Sequence, residues 1–212
     1  MNGTKIRLSD FEMDLVQNAD WILTKRVIID KVYDLFGMLA EEYVSLVKKC
    51  GDQLPLNISS IPPKISKGEN YHGLPYVVLD YPRYFEKENS FAVRSFFWWG
   101  NFFSSTFLVK GKYKKQFAEK FYDNYSFLSD YNYSICISED EWDFRFTENN
   151  FTPVNKLGTK EWKDIIFRKN FVKLSVFISL NKWNEMPGLL SGYFKKNMLA
   201  AGINFQDDGI NL

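Results

Sequence analysis

The sequence contains very little cysteine and histidine, and its charges nearly cancel. Among 212 residues, Cys50 and Cys136 are the two cysteines and His72 is the single histidine. A zinc site built on several histidines and any mechanism that needs two histidines are therefore excluded. The 27 basic and 26 acidic side chains leave a net charge of +1, so we expect neither nucleic acid nor a membrane as a partner.

Sequence motifs that usually carry enzyme chemistry are also missing. Neither G-x-G-x-x-G nor G-x-x-x-x-G-K-[ST] occurs, which excludes both common nucleotide-binding loops. H-E-x-x-H, C-x-x-C and G-x-S-x-G are absent as well, and no apolar run reaches the roughly 18 residues of a membrane span. These absences leave any cofactor unknown, predict no metal site and favour a soluble protein without catalytic activity.

Two helical patterns open the chain, and an irregular stretch follows them. Ser9, with Glu12 three residues later, predicts a capping box at the start of a short helix. Within residues 22–50, apolar side chains recur at steps of three and four from Ile28 to Cys50, which predicts a long amphipathic helix that ends at Gly51. Prolines and glycines interrupt residues 52–74, so we expect an irregular loop or a linker there.

Strand patterns begin at residue 75. The aromatic segments 91–99 and 102–109 are apolar on both faces and flank Gly100-Asn101, which predicts a central hairpin. The remaining patterns predict strands at 133–138, 142–147 and 172–180 and helices at 113–128, near 160–165 and at 187–201. The first two of these later strands would pair as a second hairpin, and the third would have one buried face.

The hairpins favour an α+β fold in which helices pack on a largely antiparallel sheet of about five to six strands. The length favours a single domain over residues 1–212. We divide it into an N-terminal helical segment (1–51), an irregular loop or linker (52–74), an α+β body (75–202) and a tail (203–212).

The most unusual stretch is 64–83, which combines the single histidine with glycines, lysines and acidic side chains at a strand end. Loops placed by a rigid strand often carry binding residues. His72 could act as a general acid or base, oriented by Glu69 or Asp80, which are the candidate catalytic residues. A solvated histidine on a surface loop is the simpler interpretation of the same residues.

Arginine and aromatic side chains near this stretch suggest a ligand site. Arg83 and Arg94 could hold a carboxylate or phosphate through bidentate contacts, although a structural ion pair with Asp80 is the simpler alternative. Trp98 or Trp99 could stack on a planar ligand, whereas core packing is the common role of such residues. The candidate ligand-binding residues are Lys67, Asn70, Tyr71, Arg83, Arg94, Trp98, Trp99 and Asn101.

Two further features concern metal ions and the cellular compartment. The run Glu139-Asp140-Glu141 offers oxygen ligands for Ca²⁺ or Mg²⁺, but acidic residues at a hairpin tip are usually just solvated. Cys50 and Cys136 lie far apart in apolar patterns, so we expect two buried, reduced thiols. With no secretory h-region after the first residues, the expected location is cytoplasmic.

Several segments resemble a family of uncharacterised proteins from Bacteroidota. They are 64–83, the run FFWWGNFF at 96–103, and the start at 8–12 together with WILTK at 21–25. The resemblance would cover most of the chain. It implies a bacterial, cytoplasmic protein and brings no activity, cofactor or catalytic residue with it.

These observations favour a non-catalytic module that binds a small molecule or a partner protein, with its site where 64–83 meets the hairpin at 91–103. The second interpretation is an enzyme that uses His72 as a general acid or base on an anionic substrate. The third is a subunit of a larger assembly that docks through the 22–50 helix or the aromatic hairpin. The sequence leaves the oligomeric state open.

Overall fold

The protein has an α+β fold built on one antiparallel sheet, and the computed structural model describes residues 6–206. Within them, the strands are β1 (Lys64–Tyr71), β2 (Leu74–Phe85), β3 (Ser90–Trp98), β4 (Phe102–Lys110), β5 (Ser134–Cys136), β6 (Phe151–Pro153) and β7 (Phe171–Ser179). The helices are α1 (Asp10–Gln17), α2 (Ala19–Lys48), α3 (Leu56–Ser59), α4 (Lys112–Asp123), α5 (Tyr125–Asp130), α6 (Thr159–Arg168) and α7 (Met186–Ala200). The strand order is β1-β2-β3-β4-β7-β5-β6.

The N-terminal helical segment confirms the first two sequence patterns. The backbone N–H of Ser9 donates to Glu12 Oε2 at 2.7 Å and that of Glu12 donates to Ser9 Oγ at 3.3 Å, which is the predicted capping box. Helix α2 has 30 residues, so it is about 45 Å long. Its buried side chains begin only at Ile29. We call residues 10–28, which comprise α1 and the first turns of α2, the N-terminal arm.

Helices α2, α4, α6 and α7 cover one face of the sheet, and the main core lies between these helices and the sheet. The strands contribute alternate residues to this core: Val77, Leu79, Phe91, Val93, Phe97, Phe103, Phe107, Val109, Val172, Leu174, Val176 and Ile178. From the helices, Tyr43 stacks on Phe194 with ring centroids 3.9 Å apart. Burial of large apolar side chains, at roughly 1.5–3 kcal/mol each, holds the helices on the sheet.

A loop covers the other face of the sheet, where the sequence predicted a strand. Residues 142–147 form no strand, and β5 pairs instead with β6. The alternating aromatic side chains of this segment pack onto the sheet. The ring centroids of Phe144 and Phe96 are 5.8 Å apart, and Phe146 stacks on Phe177 with ring centroids 4.0 Å apart. We call residues 137–150 the covering loop. Because the loop covers β7, both faces of that strand are buried, and not one as expected.

The sheet has seven described strands, against the five to six expected, because β6 takes the place of the predicted strand at 142–147 and the segment expected to be irregular contains β1. β1 is an edge strand that pairs only with β2, so charged residues such as Lys64 and Lys67 remain near solvent. At Gly68 the ring of Tyr76 lies so close that an added Cβ would be 2.6 Å from its Cε1 atom. A side chain at this position would displace the Tyr76 ring, so glycine allows the present packing, whereas the sequence pattern suggested a break.

Several other elements agree with the sequence. Trp99, Gly100 and Asn101 join β3 and β4, and both strands are buried on both faces, as expected for a central hairpin. Pro187 lies in the first turn of α7, and the helical pattern at 113–128 is divided into α4 and α5 at Asn124. Within residues 6–206, no helix combines the length and apolar character needed to cross a membrane.

The expected tail begins at residue 203, and its first residues belong to the packed structure. Ile203 is buried, and the backbone N–H of Gln206 donates to the carbonyl of Lys49 at 2.8 Å. Residues 207–212 lie outside the described part of the chain.

Candidate functional site

His72 lies at the tip of the β1–β2 hairpin, where it is exposed to solvent. Its φ of 49° places it in the left-handed region that such a turn requires. The side chain of Asn70 accepts a hydrogen bond from the Gly73 N–H at 3.0 Å, which closes the turn. The imidazole packs against Tyr71, with ring centroids 4.8 Å apart. These contacts account for His72 and Asn70 as turn residues.

The acidic residues predicted to orient His72 point elsewhere. Glu69 forms an ion pair with Lys25 on α2. Asp80 lies six residues beyond the start of β2, so it is roughly 20 Å along the strand from the hairpin. Proton transfer needs hydrogen-bond contact or one intervening water. The structure therefore does not bring together the three candidate catalytic residues.

The predicted arginines are engaged in structural contacts. Arg94 forms a bidentate ion pair with Asp80, with Nε to Oδ1 at 2.7 Å and Nη2 to Oδ2 at 2.9 Å. Its guanidinium carbon lies 4.7 Å from the centre of the Phe144 ring in the covering loop. Arg83 donates to the carbonyl of Pro62 at 3.1 Å. The simpler sequence alternative, an ion pair between Asp80 and an arginine, is confirmed.

The aromatic candidates also have structural partners. Trp98 is buried, and its indole N–H donates to the carbonyl of Tyr71 at 3.0 Å. Trp99 is half-buried against Phe97, and Asn101 donates to its carbonyl at 2.8 Å. No open aromatic platform for a planar ligand is formed by these residues.

Lys173 was not singled out by the sequence, yet it organises the face under the covering loop. This residue is fully buried, and its amine donates to the carbonyls of Asp143 at 2.6 Å, Glu141 at 3.2 Å and Asp140 at 3.3 Å. Burial lowers the pKa of this amine. Lys169 similarly donates to the carbonyl of Ile137 at 2.6 Å. The two lysines hold the loop closed and supply hydrogen bonds that a neighbouring strand would otherwise provide.

A row of polar side chains crosses the sheet beneath the covering loop. Its members are register partners on five adjacent strands: Asp80, Arg94, Thr106, Ser175 and Ser134. The hydroxyls of Thr106 and Ser175 are hydrogen-bonded to each other, and the ion pair occupies the β2–β3 end. Phe144 fills the space above the arginine. Four of the five side chains are therefore bonded to one another in two pairs, and the row does not form an open binding site.

The cysteines are buried free thiols, as the sequence predicted. Burial raises the pKa of the Cys50 thiol to about 11, so almost none of it is thiolate at pH 8. We therefore expect Cys50 to be alkylated by iodoacetamide at least about tenfold more slowly in the folded protein than in urea. Mass spectrometry of time points at pH 8 measures both rates, and equal rates would contradict the prediction.

Two surface pockets lie along the N-terminal arm and share Ile22 in their linings. An apolar groove of about 340 Å³ occupies the elbow between α1 and α2, and we call it the elbow groove. The adjoining cleft, of about 470 Å³, lies between α2 and β1. The elbow groove is lined by Glu12, Leu15, Val16, Asn18, Ala19, Trp21 and Ile22, and Ile22 also lines the cleft. In the cleft, Lys67 and Asp30 form an ion pair at 3.6 Å.

Large apolar side chains are concentrated on the surface of the arm. Eight of them are exposed by 40–70%: Phe11, Met13, Leu15, Val16, Trp21, Ile22, Leu23 and Val27. No residue of α1 is buried. The sequence predicted α1 as a helix but indicated only the 22–50 helix as a docking element. The available signal was that Phe11, Met13, Leu15 and Val16 are too widely spread to form one buried face of α1.

Neither a metal centre nor a known relative indicates a function. Within residues 6–206, no group of three or more His, Cys, Asp or Glu side chains is arranged to hold a metal ion. In the acidic run, Glu139 pairs with Lys169 at 2.8 Å and Glu141 with Lys110 at 3.0 Å. No family model, curated protein or solved structure matches the chain. The exposed apolar surface of the arm is the candidate site that the described structure offers.

Proposed function

We propose that the protein is a non-catalytic interaction module, a subunit that docks onto a partner protein through its N-terminal arm. One observation carries the proposal: the arm exposes eight large apolar side chains, and none of the residues in α1 or in the first turns of α2 is buried in the body. Exposed apolar clusters of this kind on a folded protein are typical of interaction sites.

The size of the apolar surface supports a stable interface. An aromatic side chain presents roughly 150–250 Å², and two of the eight are aromatic, so at 40–70% exposure the eight together present on the order of 800 Å² at most. The largest apolar patch on a typical monomer is roughly 300–600 Å². A standard protein interface buries about 800 Å² on each partner. The summed apolar surface of the arm, which includes side chains on different faces of α1, therefore reaches at its upper limit the area that one side of an interface buries.

The length of α1 also supports docking. Isolated helices shorter than about 12 residues are marginal in water. α1 has 8 residues and no buried side chain, and its described support is the capping box and its short connection to α2. A partner that covers its apolar side chains would supply the packing energy that the helix lacks.

The binding of a small molecule at 64–83 has less support, because its candidate residues are engaged in turns, ion pairs and core contacts. A cytoplasmic setting in a bacterium is part of the proposal. The buried free thiols support a reducing compartment. The balance of basic and acidic side chains supports a protein partner rather than nucleic acid.

The test compares the wild-type protein with a variant whose arm is less apolar. Leu23→Ser combined with Val27→Ser removes two side chains that are each 54% exposed, so the fold should remain intact. Native mass spectrometry of protein purified gently from the cells that make it should show the wild type in a complex heavier than one 25.0 kDa chain. The variant should appear as a single chain.

A matched control keeps this result specific. Leu56→Ser removes an apolar side chain that is 80% exposed but lies on α3, outside the arm, and this variant should remain in the complex. Wild-type protein that is a bare single chain under these conditions would overturn the proposal, and so would a complex that persists in the arm variant.

A further inference from the structure

The N-terminal arm carries opposite charges on its two helices. α1 contains Asp10, Glu12 and Asp14 and no basic residue. The following turns of α2 contain Asp20, Lys25 and Arg26; Lys25 pairs with Glu69 of the same chain, so the exposed Arg26 is the positive charge available to a partner. A helix with the charge pattern of α1 would therefore complement this part of α2. The chain's own α1 is joined to the start of α2, at the end of the segment away from Arg26, so the complementary helix would come from another molecule.

The two parts of the arm also match in length and in apolar character. α1, at 8 residues, is about 12 Å long, and residues 19–28 of α2 extend for about 15 Å. The elbow groove is lined by Leu15, Val16, Trp21 and Ile22, while Phe11 stands exposed on α1. The arm thus contains both an apolar groove and an apolar helix that could enter such a groove.

We propose that the partner on the arm is a second copy of this chain, an inference that rests on the proposed function. In a two-fold dimer, α1 of each copy lies against residues 19–28 of the other, so the same contact occurs twice. Phe11 of each copy enters the elbow groove of the other, and the acidic side chains of α1 approach Arg26. The two arms then form a small bundle of four helices.

Area and net charge are both compatible with this dimer. If each arm contributes on the order of 800 Å², the dimer buries about 1,600 Å² in total, which is the size of a standard stable interface. The net charge of +1 produces little long-range repulsion between copies. Burial in the bundle also gives α1 the packing that an 8-residue helix needs.

The test uses two charge-reversal variants. Each should weaken the dimer on its own, and an equimolar mixture of the two should restore it. Asp14→Arg places two arginines in each α1–α2 contact of a dimer, and Arg26→Glu places two acidic side chains there. Each variant alone should dimerise at least about tenfold more weakly than the wild type. In an equimolar mixture, one contact joins the two substituted residues and the other joins the two native residues, so both contacts are complementary. The mixture should therefore recover the dimer.

Light scattering coupled to size exclusion, on purified full-length protein from about 1 to 100 µM, measures the masses. We expect twice 25.0 kDa for the wild type, a shift towards one chain for each variant, and recovery in the mixture. Circular dichroism of each variant checks that the body remains folded, because both substituted residues are exposed.

The other outcomes distinguish the dimer from the wider proposal. A wild-type monomer at every concentration, together with a different chain in the complex from native cells, would overturn the dimer and leave the proposed function standing. A wild-type dimer that neither variant weakens would place self-association elsewhere and overturn the inference. Monomers in both experiments would overturn the inference and the proposed function together.

Discussion

Replacement of Lys173 by methionine should lower the free energy of unfolding by about 3 kcal/mol and loosen the covering loop. Methionine fills a similar volume, so the main loss is the amine that donates to three backbone carbonyls. Buried acceptors that lose a donor cost roughly 1–3 kcal/mol each. Asn150 continues to donate to the carbonyl of Asp143 at 2.9 Å. Because that carbonyl keeps one partner, the expected loss in unfolding free energy lies near the lower end of the sum over the three carbonyls.

The pH dependence gives this prediction a second readout. Burial lowers the pKa of Lys173 in the folded protein. Between that pKa and the ordinary lysine value, the unfolded chain binds more protons than the folded chain, so the wild type gains stability as the pH rises. The methionine variant lacks this gain. The difference in stability between the two proteins should therefore widen as the pH approaches 10.

Urea unfolding followed by circular dichroism measures the stability, and limited proteolysis reports cleavage within residues 137–150. Lys163→Met, at an exposed position of α6, removes the same charge without the buried hydrogen bonds and should change stability by less than about 0.5 kcal/mol. The assignment of Lys173 to loop closure would be wrong if the two variants had the same stability and the same cleavage rate.

The elements that the sequence predicted correctly depend on interactions between residues close in the chain. The capping box joins Ser9 to Glu12, and the turn at Gly100-Asn101 joins two adjacent strands. The long helix follows from side chains three and four residues apart. Because these signals need no knowledge of the rest of the chain, they could be read before any tertiary contact was known.

The elements that the sequence predicted wrongly depend on distant residues. The alternation at 142–147 resembles a strand, but Lys173, about 30 residues later, binds the backbone carbonyls and holds the segment as a loop. β1 contains Gly68 and several charges that suggest a loop, and it becomes a strand because β2 offers it one free edge. Local patterns cannot specify contacts of this kind.

The candidate site was only partly predictable for the same reason. The pairing of Asp80 with Arg94 was one of the alternatives, and the strand register places the two residues directly opposite each other. Exposure of the arm was not predicted, because residues 22–50 were treated as one helix, although the apolar stripe begins at Ile28 and burial begins at Ile29. How far a helix extends past the sheet depends on where the sheet ends, which is a tertiary property.

The ion pair between Asp80 and Arg94 should be a large contributor to stability when only one partner is removed. Asp80→Ala should lower the free energy of unfolding by about 3–4 kcal/mol, because it leaves a mostly buried guanidinium without its counter-charge. The side chains of Asp80 and Arg94 are only 7% and 17% exposed, so water cannot replace the lost partner fully. Urea unfolding at pH 7 measures this loss.

Removal of both charges should restore much of the stability. The double variant Asp80→Ala/Arg94→Met no longer buries an unpaired charge. Its methionine can still pack against Phe144, the ring that Arg94 contacts in the wild-type protein. We expect it to be about 2 kcal/mol more stable than Asp80→Ala alone. Asp164 and Arg168 on α6 provide the matched control, because they pair at 3.2 Å with side chains 38% and 79% exposed. Asp164→Ala should cost less than about 1 kcal/mol. A loss of the same size at both pairs, or no recovery in the double variant, would show that burial of the Asp80–Arg94 pair is not the cause of the destabilisation.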